Sequence, residues 1–376
     1  MDKINVLDTI SVIIFFISLF LSLFLVTVKT KHKLSNRLFA FFLILTAIDI
    51  IGGYTYDIPL GVRIFITSIF FLQLPTFYLY VLSVCYADFK LKPKHLLHTI
   101  PFLISNLILL PRFYTVDLAA KMSFLENSGS VPEIQFNHII MHIQIVSYII
   151  AAFMTLRKVR KIYLENYAGA SLESINWLFQ FTVALSAFFV IALLKNIFKF
   201  THYANVADGL KAGLLCFNFM VIFWYLFKAL NNPELFRNID SKLELVQHII
   251  SEEKNNQPSA INETEYNEDL LKLKQYMITE KPFLDPSLTI QDISAAIKIP
   301  VRDLSLLINH KLEQHFYDFV NAYRIESAMD ILKDDTKSKV TVLEILYDVG
   351  FNSKSSFNTA FKKHTGHTPT SYRKTL

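Results

Sequence analysis

Seven apolar runs of about 20 residues occupy the first 230 positions, each long enough to cross a bilayer as a helix. They fall near 10–28, 38–57, 64–87, 96–113, 138–156, 175–195 and 210–230. Pro101 and Pro111 interrupt the fourth, which a span tolerates where neighbouring helices cover the freed backbone groups. The pattern changes after Pro233. Leu243, Val246 and Ile250 make a short a/d-like seam, expected to pair two copies as a homodimer or to carry a signal; a surface helix is the plainer alternative. The polar stretch EEKNNQPSAINETE then reads as a flexible hinge.

Helical periodicity returns near Tyr266, with few glycines and no strand-like alternation. A helix over 288–296, capped by Thr289 or Ser287, leads through the turn Lys298, Ile299, Pro300 to a second over 301–312 with Leu304, Leu307 and Ile308 inward. A long helix over 316–332 buries Phe319, Tyr323, Ile325 and Ala328. Val342, Ile345, Leu346 and Val349 form one apolar face, Gly350 supplies a turn, and Asn352 or Ser353 caps a last helix with Phe357, Ala360 and Phe361 inside. Gly366 and Pro369 stop it. Two helix–turn–helix units joined by one long helix follow from this pattern.

Composition supports the division. The chain is 52% hydrophobic and 18% charged, too apolar for a soluble protein of 376 residues. Basic clusters at 29–37, 90–94 and 157–161 follow the first, third and fifth runs, whereas the other loops carry the scattered Arg63, Arg112, Lys121 and Lys199. The positive-inside rule then places the N-terminus outside and the C-terminal region in the cytoplasm, as expected for a multi-pass membrane protein. The positive flank of the first run follows it, so this run is expected to be a retained span rather than a signal peptide. Residues 268–376 are nearly neutral, with 15 Lys/Arg against 14 Asp/Glu, but 351–376 hold five Lys/Arg and no acid.

Polar groups inside the runs are the candidates for sensing. Asp49 lies mid-span in the second, Asn106 in the fourth, Gln144 in the fifth, and His138 and His142 share a helical face near the outer end of the fifth. They would bind an unknown signal ligand, an ion or a proton; the alternative is interhelical hydrogen bonding. Two histidines do not make a metal site, and Cys85 and Cys216 have no metal-binding spacing, so no metal and no cofactor are expected. HExxH, GxSxG and P-loop patterns do not occur, and no enzymatic activity is expected.

The stretch EILYDVGFNSKSSFNTAFKKHTGHTPTSYRK carries helix, G-F, helix, F-K, G and P in order, and YRIESAMDIL precedes it with a Y-R-I, A, L pattern. Together they make residues 270–373 resemble the AraC/XylS family of bacterial transcription regulators. The resemblance implies two recognition helices reading successive major-groove faces, about 34 Å apart, on double-stranded DNA. Its base-facing positions fall on Lys354, Ser355, Asn358 and Thr359 in the second unit, and on Arg302, Ser305 and Asn309 in the first, with Leu306 on the same outer face. Lys362, Lys363 and Arg373 are expected at phosphates. RNA polymerase is a partner that the resemblance implies. Lys298 and Glu313 stand where glycine is frequent in the family.

The expected fold class is all-α: a seven-helix transmembrane bundle over 1–230, a helical or flexible linker over 231–267, and a cytoplasmic AraC-like domain with two helix–turn–helix units over 268–376. The lipid bilayer and DNA are its expected partners. The expected function is a membrane-bound one-component transcriptional regulator whose linker transmits the signal. The alternative is a transporter or channel with a regulatory helix–turn–helix module.

Overall fold

The computed structural model describes residues 6–28, 33–52, 58–86, 88–168, 173–199, 204–231 and 263–375. Among these the regular structure is helical, apart from an isolated antiparallel bridge between Tyr167 and Thr289. Two compact units emerge. One comprises Met1–Leu156 with Ser174–Asn238, the other Arg157–Glu173 with Ile239–Leu376. The seam Leu243, Val246, Ile250 and the polar hinge lie outside the described residues.

The first unit is built from α1 (Val6–Thr27), α2 (Lys33–Gly52), α3 (Leu60–Ser68), α4 (Phe70–Cys85), α5 (Ile100–Leu109), α6 (Leu118–Glu126), most of α7 (Pro132–Asn166), α8 (Glu173–Lys199) and α9 (Ala204–Asn231). Among the described residues five helical stretches are long and apolar enough to cross a membrane: Val6–Thr27, Leu60–Cys85, Pro93–Tyr114, Pro132–Asn166 and Ile175–Phe198. The second predicted run falls on α2, and the seventh on α9, whose described residues include the shorter apolar stretch Gly209–Tyr225. The proline-interrupted fourth run is a composite of a 3-10 turn (Pro93–Thr99), α5 and a π-turn (Leu110–Tyr114). Its prolines stand in the first turns of these pieces, where a missing N–H leaves no helical bond unmade.

Buried rings hold this unit together. Phe39 of α2 stacks on Tyr225 of α9 at 4.2 Å between centroids and meets Tyr80 of α4 at 4.7 Å and Phe181 of α8 at 5.8 Å. Small and amide side chains bridge helices, as apolar surroundings demand. Ser22 Oγ donates to Ala40 O (3.1 Å), Ser35 Oγ to Ser83 O (3.1 Å) and Gln144 Nε2 to Phe71 O (2.8 Å). Asn106 Nδ2 donates to Ser68 Oγ at 2.9 Å, and Tyr114 Oη donates to Asn106 Oδ1 at 2.8 Å. Asn106 and Gln144 thus take the interhelical role. Asp49 instead borders a cavity of about 60 Å3 with Gln73, Asn218 and a ring of phenylalanines. His142 Nδ1 lies 2.6 Å from His138 O, and the two rings stack at 6.4 Å. Among the described residues no cluster of three metal-ligating side chains occurs.

In the second unit, α10 (Glu263–Thr279), a 3-10 turn (Pro282–Leu284), α11 (Ile290–Ile297) and α12 (Val301–Leu306) precede the long α13 (Phe316–Lys333). After it come α14 (Val342–Asp348), α15 (Lys354–Thr365) and α16 (Pro369–Thr375). Helix α13 serves two cores. Phe316, Phe319 and Val320 belong to an apolar cluster with Ile293, Leu304 and Ile308; Ile325, Ala328 and Leu332 belong to another with Ile345, Phe357 and Phe361. Each helix–turn–helix therefore has its own core, and the two are joined through one rigid element.

Candidate nucleic-acid interface

The first helix of each unit starts in the same way. Thr289 Oγ1 accepts from Asp292 N (3.3 Å) while Thr289 N donates to Asp292 Oδ2 (2.8 Å). Thr341 Oγ1 accepts from Glu344 N (3.2 Å) while Thr341 N donates to Glu344 Oε2 (2.7 Å). Each reciprocal pair satisfies two helix-end donors. These bonds hold the Glu344 carboxyl below its ordinary range, because they favour the ionised form.

The turns differ. In the second unit Gly350 takes φ +87°, and a Cβ there would lie 2.4 Å from Phe283 O. In the first unit Lys298 takes φ 58° and Glu313 φ 50°. Both positions thus keep the left-handed backbone with side chains in place, at a steric cost of roughly 1–2 kcal/mol each.

Helix α15 presents Lys354, Ser355 and Thr359 to solvent with Asn358 half-buried beside them, while Phe357 and Phe361 face the core. Ser353 Oγ accepts from Ser356 N at 3.4 Å and caps the helix; Gly366 closes it at φ 78°. Lys362 is exposed. Lys363 Nζ donates to Asp318 Oδ1 of α13 at 2.7 Å, which ties the helix to the connector. Arg373, on α16, is half-buried, and its Nη2 is enclosed without a hydrogen-bond partner.

The first unit offers less. Arg302 is exposed at the start of α12. Ser305 is 4% exposed and Leu306 6%, both inward rather than on the expected outer face. Asn309 Nδ2 donates to Ser305 O and Oγ, each at 3.1 Å, and Asn309 Oδ1 accepts from Phe316 N at 3.2 Å, the start of α13. Its amide is spent on local structure. The cause is that α12 stops at Leu306 and passes into a π-turn, Leu307–Lys311. A straight helix over 301–312 would put 302, 305 and 309 on one face; the short helix is buried along 304–308, and the wider turn changes which residues follow outside. His310 and Lys311 are the exposed polar residues there, and no periodicity marked them.

Between the units lies Arg324 of α13, fully buried. Its Nε donates to Phe283 O (2.6 Å), Nη2 to Asp285 O (2.7 Å), and Nη1 to Ala168 O (2.8 Å) and Asn321 Oδ1 (3.2 Å). The guanidinium lies over the Phe351 ring at 5.4 Å. Burial lowers its pKa to about 10, while Tyr317 and Asp285 oppose the shift, so it stays charged at neutral pH.

A family model described as a helix-turn-helix domain matches residues 293–375. The melibiose operon regulatory protein of Escherichia coli K12 is 30% identical over 90 residues, which is 24% of this chain and 29% of that protein. The protein of the same description from Escherichia coli O6:H1 strain CFT073 matches to the same extent. The chain thus spans less than a third of these relatives' length, and the similarity covers about a quarter of this chain. No solved structure matches it. The C-terminal region is a helix-turn-helix domain, and the likeness to a regulatory protein supports DNA binding in transcriptional control.

Proposed function

We propose that the chain is a membrane-bound one-component transcription regulator of the AraC type. Its apolar helices anchor it in a bacterial inner membrane with the N-terminus outside, and the helix–turn–helix domain binds double-stranded DNA in the cytoplasm. The observation that carries this reading is the union, in one polypeptide, of five long apolar helices with a domain matched over 293–375 to a helix-turn-helix family. Lys354, Ser355, Asn358 and Thr359 are the base readers of the second unit and Arg302 that of the first. Lys362 and Lys363 meet phosphates, the latter after release from Asp318. Asp49, at a small cavity, is the sensing candidate best placed to answer a bound signal. His138 and His142 form a second candidate near the start of α7.

Crosslinking of the full chain to DNA in cells, followed by sequencing of the bound loci, tests the reading. Discrete loci that vanish with Asn358→Ala are expected. A bound profile unchanged by this substitution, or indistinguishable from total DNA, contradicts it.

A further inference from the structure

Residues 157–168 belong to the same compact unit as the helix–turn–helix domain, although the chain delivers them at the end of α7 and just beyond. Their last two residues are built into that unit. Tyr167 forms an antiparallel bridge with Thr289, the cap of α11. The Ala168 N–H donates to Leu288 O at 3.1 Å, and its carbonyl accepts from Arg324 Nη1 at 2.8 Å. Ala168 is 1% exposed and joins the apolar cluster of Phe283, Leu288 and Ile290. A residue with its N–H and C=O both bonded and its side chain enclosed is part of a domain's core, not a passing loop.

The contact falls at a sensitive place. Arg324 bonds the Phe283 and Asp285 carbonyls before the first helix–turn–helix and stacks on Phe351 in the turn of the second. Gly350, next to Phe351, fits against the same Phe283 carbonyl and against that of Leu284. On α13 the last residue of the first core is Val320 and the first of the second core is Ile325, with Arg324 between them. Ala168 therefore supplies one acceptor of the side chain that locks the two units together. Without it a buried guanidinium N–H loses its main-chain partner, and the joint loosens.

We infer that residues 157–168 are a docking strap: seated on Leu288 and Arg324, they hold the register between the two recognition helices, and a shift of α7 is read out as altered binding to DNA that engages both. This rests on the proposed DNA recognition and deepens it, because it puts signal entry at the α7 end rather than in the linker over 231–267.

The test uses the full chain in lipid nanodiscs. A duplex is enriched from a random pool by the wild-type chain, and a second duplex has one half of the protected footprint scrambled. Ala168→Pro removes the N–H donor, and Ala168→Asp forces a charge into the apolar cluster; Lys272→Ala, exposed on α10, is the control. Both Ala168 variants are expected to bind the intact duplex at least tenfold more weakly, and to bind the half-scrambled duplex within twofold of wild type. Equal weakening on both duplexes, or intact-duplex binding within twofold of wild type, overturns the strap while DNA recognition stands. Failure of the wild-type chain to enrich any duplex overturns the proposed function and the strap with it. Amide exchange in the wild-type chain gives a reading free of mutation. An Ala168 N–H as protected as that of Ile293 supports docking, and one that exchanges at the rate of a free coil overturns it.

Discussion

Single backbone positions carry much of the second unit's geometry. Gly350 combines φ +87° with carbonyls 2.4 and 2.7 Å from where a Cβ would stand. Gly350→Ala is expected to cost roughly 3 kcal/mol, the left-handed penalty added to an overpacked contact, and thermal unfolding of the domain measures it. Glu313→Gly should do the reverse, raising stability by about 0.5–1 kcal/mol, since relief of strain at φ 50° outweighs the added freedom of the unfolded chain. At the interface, Asn358→Ala is expected to lose about 1–3 kcal/mol at one base position, whereas Lys362→Ala should weaken all duplexes alike and lower the salt slope by about one. A binding series over single-base variants separates the two. The sequence was legible here wherever one residue type has one job: Thr289, Gly350, Ser353 and Gly366 stand where they were expected. It was not legible for Ser305 and Leu306, which the short α12 turns inward, nor for Asn309, because nothing in an asparagine's identity says that its amide will be spent on a neighbouring helix end.

At the scale of elements, periodicity set out nearly every helix of the second unit, including the dual-core α13. It missed the π-turn after Leu306, since a run of leucines and isoleucines reads alike whether the helix continues or widens. The capping devices give this unit a defined acid sensitivity. The Glu344 carboxyl is held below its ordinary value of 4.5 by bonds from Thr341, and Asp285 below 3.8 by bonds from Ser287. A carboxyl with a depressed folded-state pKa contributes its full stability above the ordinary value and loses it as pH falls through the depressed one. The melting temperature of the domain should therefore hold steady from neutrality down to about pH 5 and decline below it. Thr289→Ala should lower stability by about 1 kcal/mol at neutral pH, the usual worth of an N-cap. A melting temperature unaffected by this substitution would remove the cap from the account.

For the whole molecule, the sequence showed an apolar half and a helix–turn–helix half, and the structure keeps that division with one exchange. Residues 157–168 end an apolar helix and begin a turn, and their basic cluster reads as an ordinary inner loop; only the bonds of Ala168 to Leu288 and Arg324 assign them to the other unit. Such a contact joins residues more than a hundred positions apart and leaves no local pattern. The presence of spans was legible: among the described residues five helices meet the length and apolarity of a crossing. The central claim is that this chain recognises particular DNA sequences. The direct measurement is a fluorescence-anisotropy titration of the full chain in nanodiscs against its enriched duplex and a shuffled one, at several salt concentrations. The account predicts a preference of about a thousandfold or more at physiological salt, with both affinities falling as salt rises. Equal affinity for the two duplexes at every salt concentration would contradict it.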